Sequence, residues 1–127
     1  MQKKGVTLIE LLIVIIIIGI LVILSLPQYS QIRERAFDRE AKANLRLIQA
    51  AERFYRLELG GYYASADAGD ININLKLSLP STTNRKWDYS ITPNNCSQAS
   101  RYQGPSPVKQ WRLRDDEKEP VEDGTCP

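Results

Sequence analysis

KKGVTLIELLIVIIIIGI, residues 3–20, joins a short basic stretch to an aliphatic run that contains one carboxylate, Glu10. No charged side chain follows in residues 11–32. A carboxylate at the centre of a bilayer costs roughly 2.5–3.5 kcal/mol on insertion scales, so such a residue usually has a partner. The nearest cations are Lys3 and Lys4, before the run. We therefore expect the partner of Glu10 close by on this chain or on another chain.

The aliphatic run has the length of a membrane span. As a helix, residues 6–26 extend about 31 Å, close to the roughly 30 Å thickness of the hydrocarbon layer. This favours a transmembrane helix, with Lys3 and Lys4 on the cytoplasmic side. A secretory signal peptide is one alternative, but bulky Ile23 stands where its cleavage site needs a small residue. A buried helix of a soluble protein is another, but the four consecutive isoleucines at 15–18 suit lipid better.

Composition limits the functional classes. The 127 residues provide one modest domain besides a membrane segment, and the net charge of +2 comes from Lys3 and Lys4 alone. The chain has no histidine, which removes the commonest general base and zinc ligand. It also has no nucleophile motif and no glycine-rich phosphate loop, so an enzyme is not expected.

After Pro27 the pattern becomes that of an amphipathic helix. Gly60 and Gly61 supply a C-terminal stop, so one helix of about 80 Å is predicted for residues 6–59. Acid-before-base pairs at Asp38–Lys42 and Glu52–Arg56 favour it. Apolar residues recur at spacings of three and four, at Ala41, Leu45, Ile48, Ala51, Tyr55 and Leu59.

Seven cations between residues 33 and 56 raise the alternative of a nucleic-acid surface. Four acids are interleaved with them, which favours a solvated helix face, and no nucleic-acid partner is expected. The cations are Arg33, Arg35, Arg39, Lys42, Arg46, Arg53 and Arg56.

The rest of the chain predicts a small β domain. Alternating apolar residues at 71–79 favour a strand, although Asp70 could instead cap a short helix there. Residues 86–92, KWDYSIT, form a second predicted strand, and residues 98–103 and 109–113 are its expected antiparallel partners. The tail from residue 114 is predicted to be loop. The fold class is therefore α+β, with a long N-terminal helix on a small antiparallel sheet.

The string GVTLIELLIV, residues 5–14, behind a short basic leader resembles the class III signal of type IV pilins and type II secretion pseudopilins. The resemblance implies that a prepilin peptidase and methyltransferase cuts between Gly5 and Val6 and methylates the new amine of Val6. Glu10 matches the glutamate of the family, and Gly19 and Pro27 also match its pattern.

The resemblance gives Glu10 a partner on another chain. In a filament, the cationic amine of Val6 in one subunit could pair with Glu10 of a neighbour among aliphatic side chains, where an unpaired carboxylate is costly. The alternative is that Glu10 lies solvated at the headgroup level. Gly19 and Pro27 permit the helix to bend or melt locally between them, as the family's filaments imply, or they give a simple kink.

Cys96 and Cys126 are predicted to form a disulfide, because the orientation above places them outside the cytoplasm. This resembles the C-terminal disulfide loop of many type IV pilins, and two free thiols are the alternative. No cofactor is expected. Calcium at the acidic tail is an alternative that some pseudopilins suggest, although a solvated charge run is commoner. The acids are Asp115, Asp116, Glu117, Glu119, Glu122 and Asp123.

These patterns predict a domain order of leader peptide 1–5, transmembrane or filament-core helix 6–27, amphipathic helix 28–61 and β domain 62–127. The expected partners are further copies in a helical homopolymer, other pilins, the peptidase and the inner membrane. The chain would lie in that membrane with its β domain outside the cytoplasm, and then enter a pilus or a periplasmic pseudopilus. The alternative function is a monomeric, membrane-anchored binding module for adhesion or DNA uptake.

Overall fold

The computed structural model describes residues 5–104 and 106–127, so Lys3 and Lys4 of the predicted leader lie outside the described residues. Two compact units divide the chain between Ala36 and Phe37. The elements in chain order are α1 (Leu8–Leu59), α2 (Ala68–Leu75), β1 (Trp87–Thr92), β2 (Cys96–Arg101), β3 (Gln110–Arg114) and β4 (Val121–Glu122).

The first unit consists of the apolar part of α1. Its large aliphatic side chains, from Leu8 to Ile32, are exposed. In the described part of the chain, α1 is the helix that is long and apolar enough to cross a membrane. The helix continues through both Gly19 and Pro27.

The second unit begins with the amphipathic part of α1. Ala41, Leu45 and Ile48 are fully buried, as the spacing predicts, and Ala51 and Tyr55 pack at the edge of the core. Gly60 follows the last helical residue with a φ of 79°, and its N–H bonds to the carbonyl of Arg56 at 2.9 Å. The helix therefore ends at the predicted glycine, whose missing Cβ suits the left-handed conformation.

Two expectations for this part of α1 are wrong. Leu59 is exposed, because the helix ends there and the chain turns away. Glu52, expected to pair with Arg56 on a solvated face, is buried instead. Its carboxylate accepts the N–H of Tyr63, and Arg56 donates to the hydroxyl of Tyr62.

The expected strand at residues 71–79 is also wrong, and the alternative of a short helix is confirmed by α2, which covers Ala68–Leu75. Its N-cap is Asp67 rather than Asp70, and Asp67 Oδ1 accepts the N–H groups of Gly69 and Asp70 at 2.8 and 3.1 Å. Ile71 and Leu75 are four residues apart and both face the core.

The sheet has the order β1-β2-β3-β4, and every neighbouring pair is antiparallel. β1 matches its prediction within one residue, whereas β2 starts two residues earlier than expected. The tail, expected to be loop throughout, contributes β4, because Val121 and Glu122 pair with β3.

The core lies between the amphipathic part of α1, α2 and one face of the sheet. The sheet contributes six side chains to this core: Trp87, Tyr89 and Ile91 of β1, Ala99 of β2, and Trp111 and Leu113 of β3. The helix and sheet also share hydrogen bonds, since Trp87 Nε1 donates to the carbonyl of Phe37 at 2.9 Å and Asn44 donates to the Tyr89 hydroxyl at 2.8 Å. The predicted α+β fold, a long helix on a small antiparallel sheet, is confirmed.

Candidate functional site

The predicted processing position precedes the first turn of α1. Gly5 and Val6 lie before its first residue, Leu8, and both are exposed. A side-chain carbon at Gly5 would have no atom within 4 Å. The bond between the two residues is thus accessible in the isolated chain, and its cleavage stays a prediction.

Glu10 takes part in the N-terminal cap of α1. The N–H of Thr7 donates to Glu10 Oε2 at 3.4 Å, and the N–H of Glu10 donates to Thr7 Oγ1 at 3.3 Å. This reciprocal pair is a capping box, which satisfies two N–H groups that the first helical turn leaves free. The pattern of a capping box, a threonine followed three residues later by a glutamate, is visible in the sequence at residues 7–10, but it did not enter the prediction for Glu10. Glu10 therefore has a local role in the subunit, and its pairing with another subunit stays a prediction.

Gly19 and Pro27 occupy exposed positions within the apolar part of α1. Around Pro27, hydroxyl groups bond to nearby carbonyls of the helix: Ser25 donates to Val22 at 2.9 Å and Ser30 donates to Pro27 at 3.1 Å. A side-chain carbon at Gly19 would contact nothing within 4 Å. Because α1 is continuous through both residues, their predicted role in bending or melting the helix stays a prediction.

Cys96 and Cys126 form the predicted disulfide, with 5.7 Å between their Cα atoms. Cys96 is buried at the start of β2, so the bond attaches the C-terminal tail to the sheet. Closing a loop of this size stabilises a fold by roughly 3–4 kcal/mol on the chain-entropy model.

The acids of the tail are distributed along a series of ion pairs with cations of α1 and the sheet. Three of the distances are 3.0 Å for Asp115 to Arg53, 3.3 Å for Glu117 to Arg112 and 3.1 Å for Glu122 to Lys109. Further pairs join Asp116 to Arg114 and Glu119 to Arg46.

Asp115 accepts hydrogen bonds from both Tyr62 and Arg53. Hydrogen bonds from Tyr62, at 2.6 Å, and then from Arg53 lower the pKa of its carboxyl group. Among the described residues, no group of three or more Asp, Glu, Cys or His side chains is placed to hold a metal ion. Calcium binding at the tail therefore stays a prediction.

Lys109 is a cation that the sequence analysis did not single out. Its Nζ lies 2.7 Å from Asp38 of α1 and 3.1 Å from Glu122 of β4. Partial burial lowers the pKa of Lys109, but the hydrogen bonds and charges of these two acids together outweigh it and raise the pKa. It thereby links helix and tail. Neither this residue nor buried Glu52 carries a local sequence signal, because their partners lie far along the chain or in a loop.

Comparisons with known proteins agree with the N-terminal pattern. Residues 1–26 match the family described as "Prokaryotic N-terminal methylation motif". The chain is also 33% identical over 98 residues to the type IV major pilin protein PilA of Myxococcus xanthus. That alignment covers 62% of this chain and 44% of the relative, so the chain spans less than half of the relative's length. No solved structure matches the chain significantly. The resemblance to type IV pilins is thus confirmed in motif and in sequence.

Proposed function

We propose that this chain, a pilin-type protein in its motif, its sequence and its fold, polymerises as a structural subunit of an extracellular or periplasm-spanning filament. Pilins are structural subunits and not enzymes. Before assembly, the apolar part of α1 anchors the subunit in the inner membrane, with the second unit outside the cytoplasm. A prepilin peptidase cuts between Gly5 and Val6 and methylates the amine of Val6.

The observation that carries the proposal is a second apolar surface on the amphipathic part of α1. We call it the outer stripe: Ala43, Leu47, Ala50, Phe54 and Leu57, all of them exposed. Phe54 is 70% exposed and Leu57 82%.

The outer stripe faces away from the core. Ala43, Leu47 and Ala50 each follow a buried core residue by two positions, which is a rotation of about 200° around the helix axis. The amphipathic part of α1 thus has two apolar faces on opposite sides, and the sheet covers one of them. Exposed apolar patches of this kind mark protein or membrane interaction sites.

A further copy of this chain is the occupant that fits best. Each of the two units exposes an apolar helix surface, and a helical polymer can cover both surfaces with the same elements of neighbouring subunits. A monomeric anchor would cover only the membrane part of α1 and leave the outer stripe in water.

The proposal is tested by the yield of sheared filaments, relative to total membrane protein, for the double variant Phe54→Gln, Leu57→Gln. We expect a strong loss of filaments with little change in the stability of the subunit, because neither side chain belongs to the core. Ile73→Gln is the matched control, since Ile73 is 67% exposed but lies on α2. Wild-type filament yield from the double variant would contradict the proposed packing.

Filaments recovered from the cell surface would indicate a pilus. Filaments retained in the periplasm would indicate a secretion pseudopilus. A protein that stays entirely in the membrane, even as the wild type, would favour the monomeric binding module.

A further inference from the structure

Glu52 is a buried carboxyl group that the proposed assembly does not use. Its side chain is 5% exposed and lies on the core face of α1, one turn after Ile48. Oε2 accepts the N–H of Tyr63 at 3.0 Å. Oε1 is buried and has no hydrogen-bond partner among the described residues.

The carboxyl group lines a small cavity between α1, the sheet and the start of the tail. The cavity has a volume of about 10 Å³, near the minimum for one water molecule. Its polar lining consists of Gln49, Glu52, Tyr62, Asn95, Ser97 and Asp115.

The charged groups around the cavity leave Glu52 without a described cation. Asp115, from the tail, adds repulsion. Arg53 of α1 pairs with Asp115, and Arg56 of α1 donates to the hydroxyl of Tyr62, which itself donates to Asp115. The turn before β2 contributes the neutral group of Asn95, and β2 contributes that of Ser97. The ring of Tyr63 packs at 5.7 Å from that of Tyr55.

An ionised carboxylate is therefore unfavourable at this position. Burial, with a smaller contribution from the charge of Asp115, raises the pKa of Glu52 to about 7 against the opposing effect of the Tyr63 N–H. A neutral carboxyl group can keep the bond from Tyr63 at one oxygen and donate from the other toward the oxygens that line the cavity.

We propose that Glu52 is a proton-binding site that couples the packing of the second unit to the pH outside the cytoplasm. Its protonated form lets the segment after α1 pack against the helix without a buried charge. Its ionised form keeps the bond from Tyr63 but leaves a buried charge beside Asp115, which makes this packing less stable. The inference concerns the folded subunit and does not depend on filament assembly.

The direction of the pH dependence follows from the two states of the chain. An unfolded chain releases the proton of Glu52 near pH 4.5, and the folded chain keeps it to about pH 7. Between these values the folded state binds more protons, so its stability falls as the pH rises. The lowered pKa of Asp115 acts below this window, and the raised pKa values of Tyr62, Tyr89, Arg85 and Lys109 act above it.

The test is chemical unfolding of the full chain in detergent micelles between pH 5 and 8, followed by tryptophan fluorescence with the disulfide intact. We expect the unfolding equilibrium constant of the wild type to rise roughly 10- to 100-fold over this range. Glu52→Gln, which keeps the shape and the acceptor for Tyr63, should remove this rise. Glu58→Gln makes the same charge change on an exposed residue and should keep it.

A wild type with constant stability from pH 5 to 8, or a Glu52→Gln variant that keeps the wild-type dependence, would overturn the proposal. A carbon NMR titration of glutamate carboxyl groups in the wild type decides the matter if the variant does not fold. One carboxyl group should titrate near pH 7, and titration of all of them near their ordinary pH would likewise overturn the proposal.

Discussion

Glu10 has an observed role in the single chain and a proposed role in the filament. In the single chain it closes a capping box with Thr7, which keeps the first turn of α1 ordered. Both hydrogen bonds are long, at 3.3 and 3.4 Å, and the side chain is exposed. The carboxylate is therefore free to change partners when a cationic group approaches it. The cap and the proposed intersubunit pair are thus compatible.

Replacing Glu10 separates these two roles. Glu10→Leu should still insert into the membrane, because the substitution makes the helix more apolar, and the second unit should still fold. Filament yield should fall sharply, since the amine of the neighbouring subunit would lose its counter-charge in an aliphatic setting, where an unpaired buried charge costs roughly 3–5 kcal/mol.

Glu10→Gln and Thr7→Val distinguish the charge of Glu10 from its cap. Glu10→Gln keeps the side-chain size and a hydrogen-bond acceptor but loses the charge, so its filament yield should be intermediate. Thr7→Val removes one capping oxygen and leaves the charge in place, so it should assemble better than Glu10→Leu. Equal filament yields from Glu10→Leu and the wild type, at equal expression, would rule out the proposed pair.

At the level of elements, α2 shows why the sequence pattern was misleading. Ile71, Ile73 and Leu75 alternate with polar residues, as in a strand, but the first and last of them also stand four residues apart. A helix forms instead of a strand because the side chain of Asp67 caps its N-terminus. Gly69 has no side-chain carbon and therefore leaves room for this cap. A side-chain carbon at Gly69 would lie 2.8 Å from Asp67 Oδ1.

The cap predicts different effects for two neighbouring aspartates. Asp67→Ala should destabilise the second unit by about 1 kcal/mol, because two N–H groups of α2 lose their acceptor. Asp70→Ala should have a smaller effect, since it removes only a favourable charge near the helix N-terminus. Urea unfolding of the full chain in detergent measures both effects. An equal or larger loss of stability for Asp70→Ala would show that Asp67 is not the main N-cap of α2.

Sequence reasoning reached the elements that have a strong local signal. The apolar run, the stripe from Ala41 to Ile48, the stop at Gly60 and strand β1 were all predicted, because each is defined by neighbours in the chain. The burial of Glu52 and the pairing of β4 were missed, because they depend on contacts made only after helix, sheet and tail have come together. The outer stripe was also missed, because its apolar residues could be told apart from the core residues of the same helix only once the buried face was known.

At the level of the whole molecule, the second unit is held by three kinds of interaction, two of which involve its tail. A core joins α1 to the sheet, ion pairs connect the acids of the tail to cations of the helix and sheet, and the disulfide attaches the chain end to β2. The outer stripe and the apolar part of α1 take no part in this core. Within the second unit, the core therefore lies on one side of the amphipathic part of α1, and the outer stripe on the other side is available for the proposed assembly.

The most direct test of filament assembly is the distribution of the wild-type chain between sheared filaments and the membrane pellet, with the intact mass of the filament fraction. We predict that the chain is recovered in filaments and that its mass is that of a chain beginning at methylated Val6. A chain found only in the membrane pellet, or filaments whose subunits still carry residues 1–5, would contradict the account.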